Sequence, residues 1–212
     1  MNVDEAVESI LVSLQWDRWR FMLPAKPILN LNLAVVSHGH MDHWHRNFYQ
    51  KDLVLIPWRL RMPKPYRNLR NILRVYRSER IERLEFQQVD MRVLERLLNY
   101  PVDPAPHAYW WIVEKQEIKG DVRVLFIGDM NVRDVNVARD FIRTMFERSL
   151  ILHGVLFPSF GGVSSHGSRS PREISMLIRE LAYEVKDDYD VMLGALPHPV
   201  TAEWADINAV KI

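Results

Sequence analysis

Residues 31–45 read Leu-Asn-Leu-Ala-Val-Val-Ser-His-Gly-His-Met-Asp-His-Trp-His. The run over 31–37 is short and apolar, which predicts a strand, and what leaves it is the pattern H-x-H-x-D-H. With eight histidines and 14 aspartates in 212 residues, that pattern is expected by chance on the order of 10⁻³ times in the chain. In an extended segment, side chains two apart share a face, so His38 and His40 can address one cation. Asp42 and His43 come around the turn, where they can reach a second cation or orient the ligands of the first. A lone histidine there would read as a solvated loop residue; four ligand-type residues in six positions at a strand exit favour a metal site. A structural and a catalytic site differ in whether ligands also arrive from afar and leave a coordination position open.

Composition narrows the chemistry. The chain has no cysteine, which excludes disulfides, thiolate metal sites and thiol nucleophiles, so any metal must be held by His, Asp or Glu. At 48% hydrophobic and 26% charged it is neither fibrous nor disordered. Its length predicts a single domain over 1–212, with residues 1–30 as an atypical N-terminal helical segment. The net charge of +1 gives no global field toward nucleic acid or an anionic membrane. The balance is uneven, since residues 51–100 hold 12 basic against 6 acidic residues, a local +6. The opening MNVDEAVES is acidic where a secretory signal is basic and then apolar, and no apolar run approaches the roughly 20 residues of a membrane span. A soluble, cytoplasmic protein with no membrane partner is the expectation.

Along the chain, Val3, Val7, Ile10, Leu11 and Leu14 recur at helical spacing. DLVLIP at 52–57 reads as a second strand, and Pro57, Pro63 and Pro65 impose an irregular stretch after it. The Arg-rich segment 67–99 is ambiguous: NILRVYR alternates like a strand, whereas MRVLERLLN has helical spacing. Strands are expected at 108–113 and 122–128 around a turn with Lys119-Gly120-Asp121, and again at GVLFPSF and 191–196. Helices are expected at 134–149, with Val137, Phe141, Ile142 and Met145 inward, and from Ser170-Pro171 to about Val185. Alternating strands and helices predict an α/β layered fold.

The string Ser37-His38-Gly39-His40-Met41-Asp42-His43-Trp44, placed after an apolar strand, resembles the signature of the metallo-β-lactamase superfamily of metal-dependent hydrolases. Later positions fit its remaining motifs in order over about residues 31–200. His107 stands just before a strand in PAPHAYWW, Asp129 ends the next in LFIGDMN, and His198 follows the last in LGALPHPV. His166, in SSHGSRS, is the rival for the last ligand; His198 is preferred because it closes a strand as the other motifs do. The resemblance implies a four-layer αββα sandwich with two metals at one edge. His38, His40 and His107 would hold one, Asp42, His43 and His198 the other, and Asp129 would bridge them. Two dications lower the pKa of a shared water from 15.7 toward about 7 and polarise the scissile oxygen, and Asp42 would orient the resulting hydroxide. The ligand set suits zinc and would also accept manganese or iron. With a bridging Asp129 and no cysteine, the chain looks more like the branch containing ribonuclease Z, phosphodiesterases and sugar-phosphate lactonases than like true β-lactamases.

Two features depart from the pattern. Only about 37 residues precede the motif, where the family places several strands, so either the N-terminal half is trimmed or the true start lies upstream, and in both cases an exposed edge or a homo-oligomer contact is expected. Trp44-His45-Arg46 also stands where many members carry small residues. For substrate, the loop 161–169 ends at a helix N-terminus, where Ser165, His166 and Arg169, with Arg172 beyond, form a candidate anion cradle. Phosphate-bearing small molecules therefore lead, a phosphorylated lactone among them. Basic segment 59–83, with Trp58, Tyr66 and Tyr76 interleaved, keeps nucleic acid as the alternative; a solvated basic face paired with Glu79, Glu82 and Glu85 is the plainer reading of it. A non-catalytic module that keeps its metal for structure is the third alternative. Serine catalysis is a poor fit, because no G-x-S-x-G elbow is present.

Overall fold

The structure is a computed structural model that describes residues 6, 9–10, 29–39, 41–44, 46–102, 110–116, 120–130, 132–158 and 171–196. For Asp42, Val132, Pro171, Arg172, Ala195 and Leu196 only the backbone is described. Within these residues the chain is mixed α/β, the class expected from the alternation of patterns. Nine strands run β1 (Leu33–Val35), β2 (Leu53–Pro57), β3 (Ile72–Val75), β4 (Ser78–Ile81), β5 (Leu84–Val89), β6 (Trp110–Lys115), β7 (Val122–Phe126), β8 (Gly154–Pro158) and β9 (Met192–Leu196). Three α-helices are described at length: α1 (Met91–Leu98), α2 (Val132–Glu147) and α3 (Pro171–Asp188). Strands β1-β2-β3 form a three-stranded sheet, and the other six form a sheet in the order β4-β5-β6-β7-β8-β9. Chain contacts divide into two compact units, Met1–Gln88 with Trp111–Val124, and Val89–Trp110 with Leu125–Ile212.

In the first unit, β1 pairs parallel with β2, and β2 with β3, in the registers Leu33↔Leu53 and Val54↔Ile72. Parallel neighbours need a crossover; here the β1–β2 crossover carries two short 3-10 helices, Met41–His43 and Arg46–Gln50, and no α-helix. Four of the five β2 residues are buried, as a strand covered on both faces requires. Trp44, Phe48, Leu60, Tyr66 and Leu69 pack with Ala34, Val36, Val54 and Ile56 as one apolar cluster. Asn71 fastens the crossover to this cluster, its side-chain amide donating to the carbonyls of Phe48 (2.8 Å) and Lys51 (2.6 Å). The expected N-terminal helix is described at three positions, Ala6, Ser9 and Ile10, all helical and buried.

The ambiguous Arg-rich segment divides between both of its readings. Its first half becomes β3 and the antiparallel β4–β5 hairpin, paired Ile81↔Leu84 around a two-residue turn. Glu82 opens that turn at φ 51°, a left-handed conformation unusual outside glycine, and its carboxylate accepts from the Asn30 backbone N–H at 3.0 Å. The second half becomes α1. Asp90 caps it by accepting from the Val93 N–H (3.0 Å), and Asn99 ends it in the left-handed region at φ 59°, the usual way a helix stops.

In the second unit α1 packs on α2, α2 on α3, and α3 on β8 and β9. The inward stripe of α2 is Val135, Ala138, Phe141, Ile142 and Met145; Val137, expected inward, is half-buried. Trp110 is fully buried and meets Phe141 edge to face at 5.8 Å. The Tyr100 hydroxyl donates to Asp140 at 2.8 Å, and burial together with that bond pushes its pKa up to about 12. Strands β8 and β9 pair parallel from Gly154↔Met192 to Pro158↔Leu196. Among the described residues, no helix is long and apolar enough to cross a membrane.

Candidate metal centre

The H-x-H-x-D-H segment leaves the carboxyl end of β1, the end at which parallel strands of α/β sheets present ligand sites. Its path is fixed by a series of backbone anchors. The Val36 N–H continues the ladder to Leu55 O at 2.9 Å, while the Val36 carbonyl accepts from Trp111 Nε1 at 3.3 Å. Two residues on, the His38 carbonyl accepts from Trp44 Nε1 at 3.1 Å, and the Trp44 N–H closes back to Met41 O at 3.1 Å. Trp44 is itself held from behind: its ring lies 5.2 Å from Tyr66 and 5.8 Å from Phe48, and the Tyr66 hydroxyl donates to its carbonyl at 3.0 Å. A core residue thus grips the backbone of a candidate ligand. The sequence marks Trp44 only as a departure from a family pattern, because the apolar cavity that receives it is assembled from β2 and the segment 60–69.

Gly39 is the close-approach position in this loop. A Cβ added there would stand 2.8 Å from the Arg61 carbonyl oxygen and 3.7 Å from Leu60 Cδ1. The first obstacle is backbone, and the segment that carries it is tied down by Arg74, whose guanidinium donates to Trp58 O (2.8 Å) and Leu60 O (2.9 Å). Neither side can yield cheaply. Gly39→Ala is expected to cost about 1–3 kcal/mol in urea unfolding and to weaken metal binding through displacement of His38. Unchanged stability together with unchanged metal affinity would contradict this packing.

The His38 side chain is buried at 4% exposure, and its Nδ1 lies 3.0 Å from Ser37 Oγ. Such a contact to one ring nitrogen sets the ring orientation and directs the other, Nε2, toward a cation. Its ring centroid is 3.9 Å from that of His43, at an interplanar angle of 50°. Asp129, three residues past the carboxyl end of β7, is buried at 6% exposure. Among the described residues, His38, His43 and Asp129 form a group suited to hold a metal ion, with one ligand atom from each within 4.8 Å of the others. Two imidazoles and a carboxylate, with no thiolate, are a donor set that zinc, manganese and iron all accept.

The remaining candidates, His40, His107, His198, Ser165, His166 and Arg169, lie outside the described residues, as does the side chain of Asp42. Ser37, Gly39, Trp44, Tyr66 and Trp111 are the positioning residues. Ser37, Gly39 and Trp44 stand inside the motif string without a role being read for them, and Tyr66 and Trp111 carry no local signal toward the site.

No protein-family model matches the chain, and no curated protein does. Among solved structures, one from Veillonella parvula described as a possible metal-dependent hydrolase is similar to it at 12% identity and a TM-score of 0.47, covering 78% of this chain and 61% of that one. The Rm3 metallo-β-lactamase is similar at 10% identity and a TM-score of 0.33, covering 85% and 62%. BJP-1, a subclass B3 metallo-β-lactamase of Bradyrhizobium japonicum, is similar at 11% identity and a TM-score of 0.32, covering 86% and 77%. The structural neighbours are thus a possible metal-dependent hydrolase and two metallo-β-lactamases. This chain spans less than two thirds of the length of the first two.

Proposed function

We propose that the chain is a metal-dependent hydrolase acting on a phosphoester or a phosphorylated small molecule. The observation that carries this reading is the meeting of His38, His43 and Asp129, two of them from the H-x-H-x-D-H motif and the third from the end of a distant strand. The trio is a candidate site for a metal ion; that the centre is binuclear, with zinc as the first choice, is part of the proposal. Bound cations supply Lewis-acid activation of water and of the scissile oxygen. His38, oriented through Ser37, and His43 would hold the cations, Asp129 would bridge them, and Asp42 would orient the attacking hydroxide.

The full chain, purified after growth with zinc or manganese, is expected to carry at least one equivalent of transition metal by elemental analysis. It is expected to hydrolyse bis-p-nitrophenyl phosphate, to lose that activity on chelation and to regain it when metal is restored. Less than one equivalent, with no gain on reconstitution, overturns the proposal.

A further inference from the structure

The three parallel strands of the first unit present more than ligands at their carboxyl edge. Beyond the register pair Pro57↔Val75, the next residues of β2 and β3 are Trp58 and Tyr76, so two aromatic side chains leave the same sheet edge as His38. Their rings are 6.1 Å apart and nearly perpendicular, at 86°. Trp58 is 50% exposed and Tyr76 59%, in a protein whose other large aromatics include the fully buried Trp110, Phe48, Phe86 and Phe141. The Trp58 backbone is held on both sides: its N–H donates to Val75 O at 2.8 Å and its carbonyl accepts from Arg74 at 2.8 Å. A ring half open to water on a backbone fixed this firmly is preorganised for a flat ligand, since little freedom remains to be lost on stacking.

The surrounding charge says which flat ligand. The Arg77 guanidinium lies 5.5 Å from the Tyr76 ring centroid, and Arg59, Arg61, Arg77 and Arg80 are exposed and make no ion pair among the described residues. Of the nearby acids, Glu82 is engaged by Asn30, and Glu85 stands across the hairpin from Arg80, which leaves Arg59, Arg61 and Arg77 as the cations beside the two rings. Stacking faces with exposed arginines close by in the chain are what single-stranded nucleic acid uses, base on ring and phosphate on guanidinium. One phosphate would need one or two of these cations; several exposed arginines within 59–77 suit a chain of phosphates.

We infer that Trp58 and Tyr76, flanked by Arg59, Arg61 and Arg77, form a base-stacking platform for single-stranded nucleic acid. The platform lies beside the metal loop, because the segment 58–62 is the one whose Arg61 carbonyl abuts Gly39. Strands β1 and β3 stand two spacings apart in this sheet, about 10 Å, so one bound strand reaches from Tyr76 to the exit of β1. Resting on the hydrolase reading, the bound strand is then the substrate: one P–O bond breaks, the oxygen of water goes to phosphorus and a proton to the leaving oxygen.

Binding of a fluorescein-labelled, 2′-O-methyl single-stranded RNA of about twelve nucleotides to the full chain separates the two ideas, because that probe resists cleavage. Anisotropy is expected to show binding whose logarithm falls linearly with the logarithm of salt concentration. Trp58→Ala and Tyr76→Ala are each expected to weaken it by about five-fold or more. Trp58→Phe, which keeps a stacking face, is expected to retain most of it, and Tyr183→Ala, at an exposed tyrosine on α3, all of it. Absent binding, equal binding by all variants, or a mononucleotide that binds as tightly as the oligomer overturns the platform. Oligomer binding without turnover of bis-p-nitrophenyl phosphate supports the platform and overturns the hydrolase; turnover without oligomer binding does the reverse.

Discussion

Asp129→Ala is expected to abolish the thermal stabilisation that metal gives the wild-type chain, along with its turnover. A ligand that binds only the folded state stabilises by about 2.7 kcal/mol at a hundred times its dissociation constant. For a chain of this length that corresponds to a rise of about 5–10 °C in Tm. Loss of partners that merely orient ligands already lowers metal affinity by about 10–100-fold, so loss of the carboxylate itself should reach at least the upper end. At the same metal concentration the variant is then near half saturation, where stabilisation falls to about 0.4 kcal/mol and the Tm shift to about 1 °C. Calorimetric scans of both proteins with and without zinc check this without any substrate. Asp129→Asn, which keeps the shape of a side chain that is 6% exposed, distinguishes loss of the ligand from loss of packing. Equal metal-induced shifts in wild type and variants would show that Asp129 holds no cation.

Trp44→Ala is expected to cost about 3–5 kcal/mol, the range for deleting a buried aromatic. The ring is 4% exposed and contacts Phe48 and Tyr66, so the deletion leaves a cavity in the middle of the first unit's apolar cluster. The effect on the site separates from the effect on the fold in Trp44→Phe. That substitution keeps most of the apolar volume and removes the 3.1 Å bond from Nε1 to the His38 carbonyl, a loss worth about 1–2 kcal/mol. With its carbonyl released, His38 should be held less firmly, and metal affinity should fall by about ten-fold. Urea unfolding of both variants, with the midpoint shifting at constant slope, measures the first effect, and a metal titration of Trp44→Phe the second. A loss below 1 kcal/mol for Trp44→Ala would mean that the loop does not depend on this residue.

Legibility in the sequence followed the range of the interactions involved. The strands at 33–35, 53–57, 122–126, 154–158 and 192–196 were all marked by apolar runs bounded by polar or turn residues, a signal each segment carries by itself. Helix α2 was marked by its 3.6-residue period, although Val137 was misassigned to the inward face, because the buried stripe is set by what α2 packs on. The segment 67–99 was ambiguous because arginines at nearly every third or fourth position obscure both periods. What resolved it was β2, whose parallel pairing with β3 drew 72–75 into the sheet, and the Asp90 and Asn99 caps, which bounded α1.

The metal motif is local and was readable in full: histidines at 38, 40 and 43 with an aspartate between them are a chemical statement whatever surrounds them. Asp129 was nameable only through its place at a strand end and its order among the other motifs. The amino-acid sequence by itself determined that any metal ligands are drawn from His, Asp and Glu, with no thiolate, and the α/β class, because both rest on residue identity and on short-range periodicity. Only the tertiary structure decided which residues hold the ligands in place. Arg61 against Gly39, Trp111 on Val36 and the Trp58–Tyr76 pair at one sheet edge each join positions 18 or more residues apart, and the cavity that seats Trp44 is built from β2 and the segment 60–69. Their pairing follows from parallel register and side-chain packing, which no single stretch of sequence encodes.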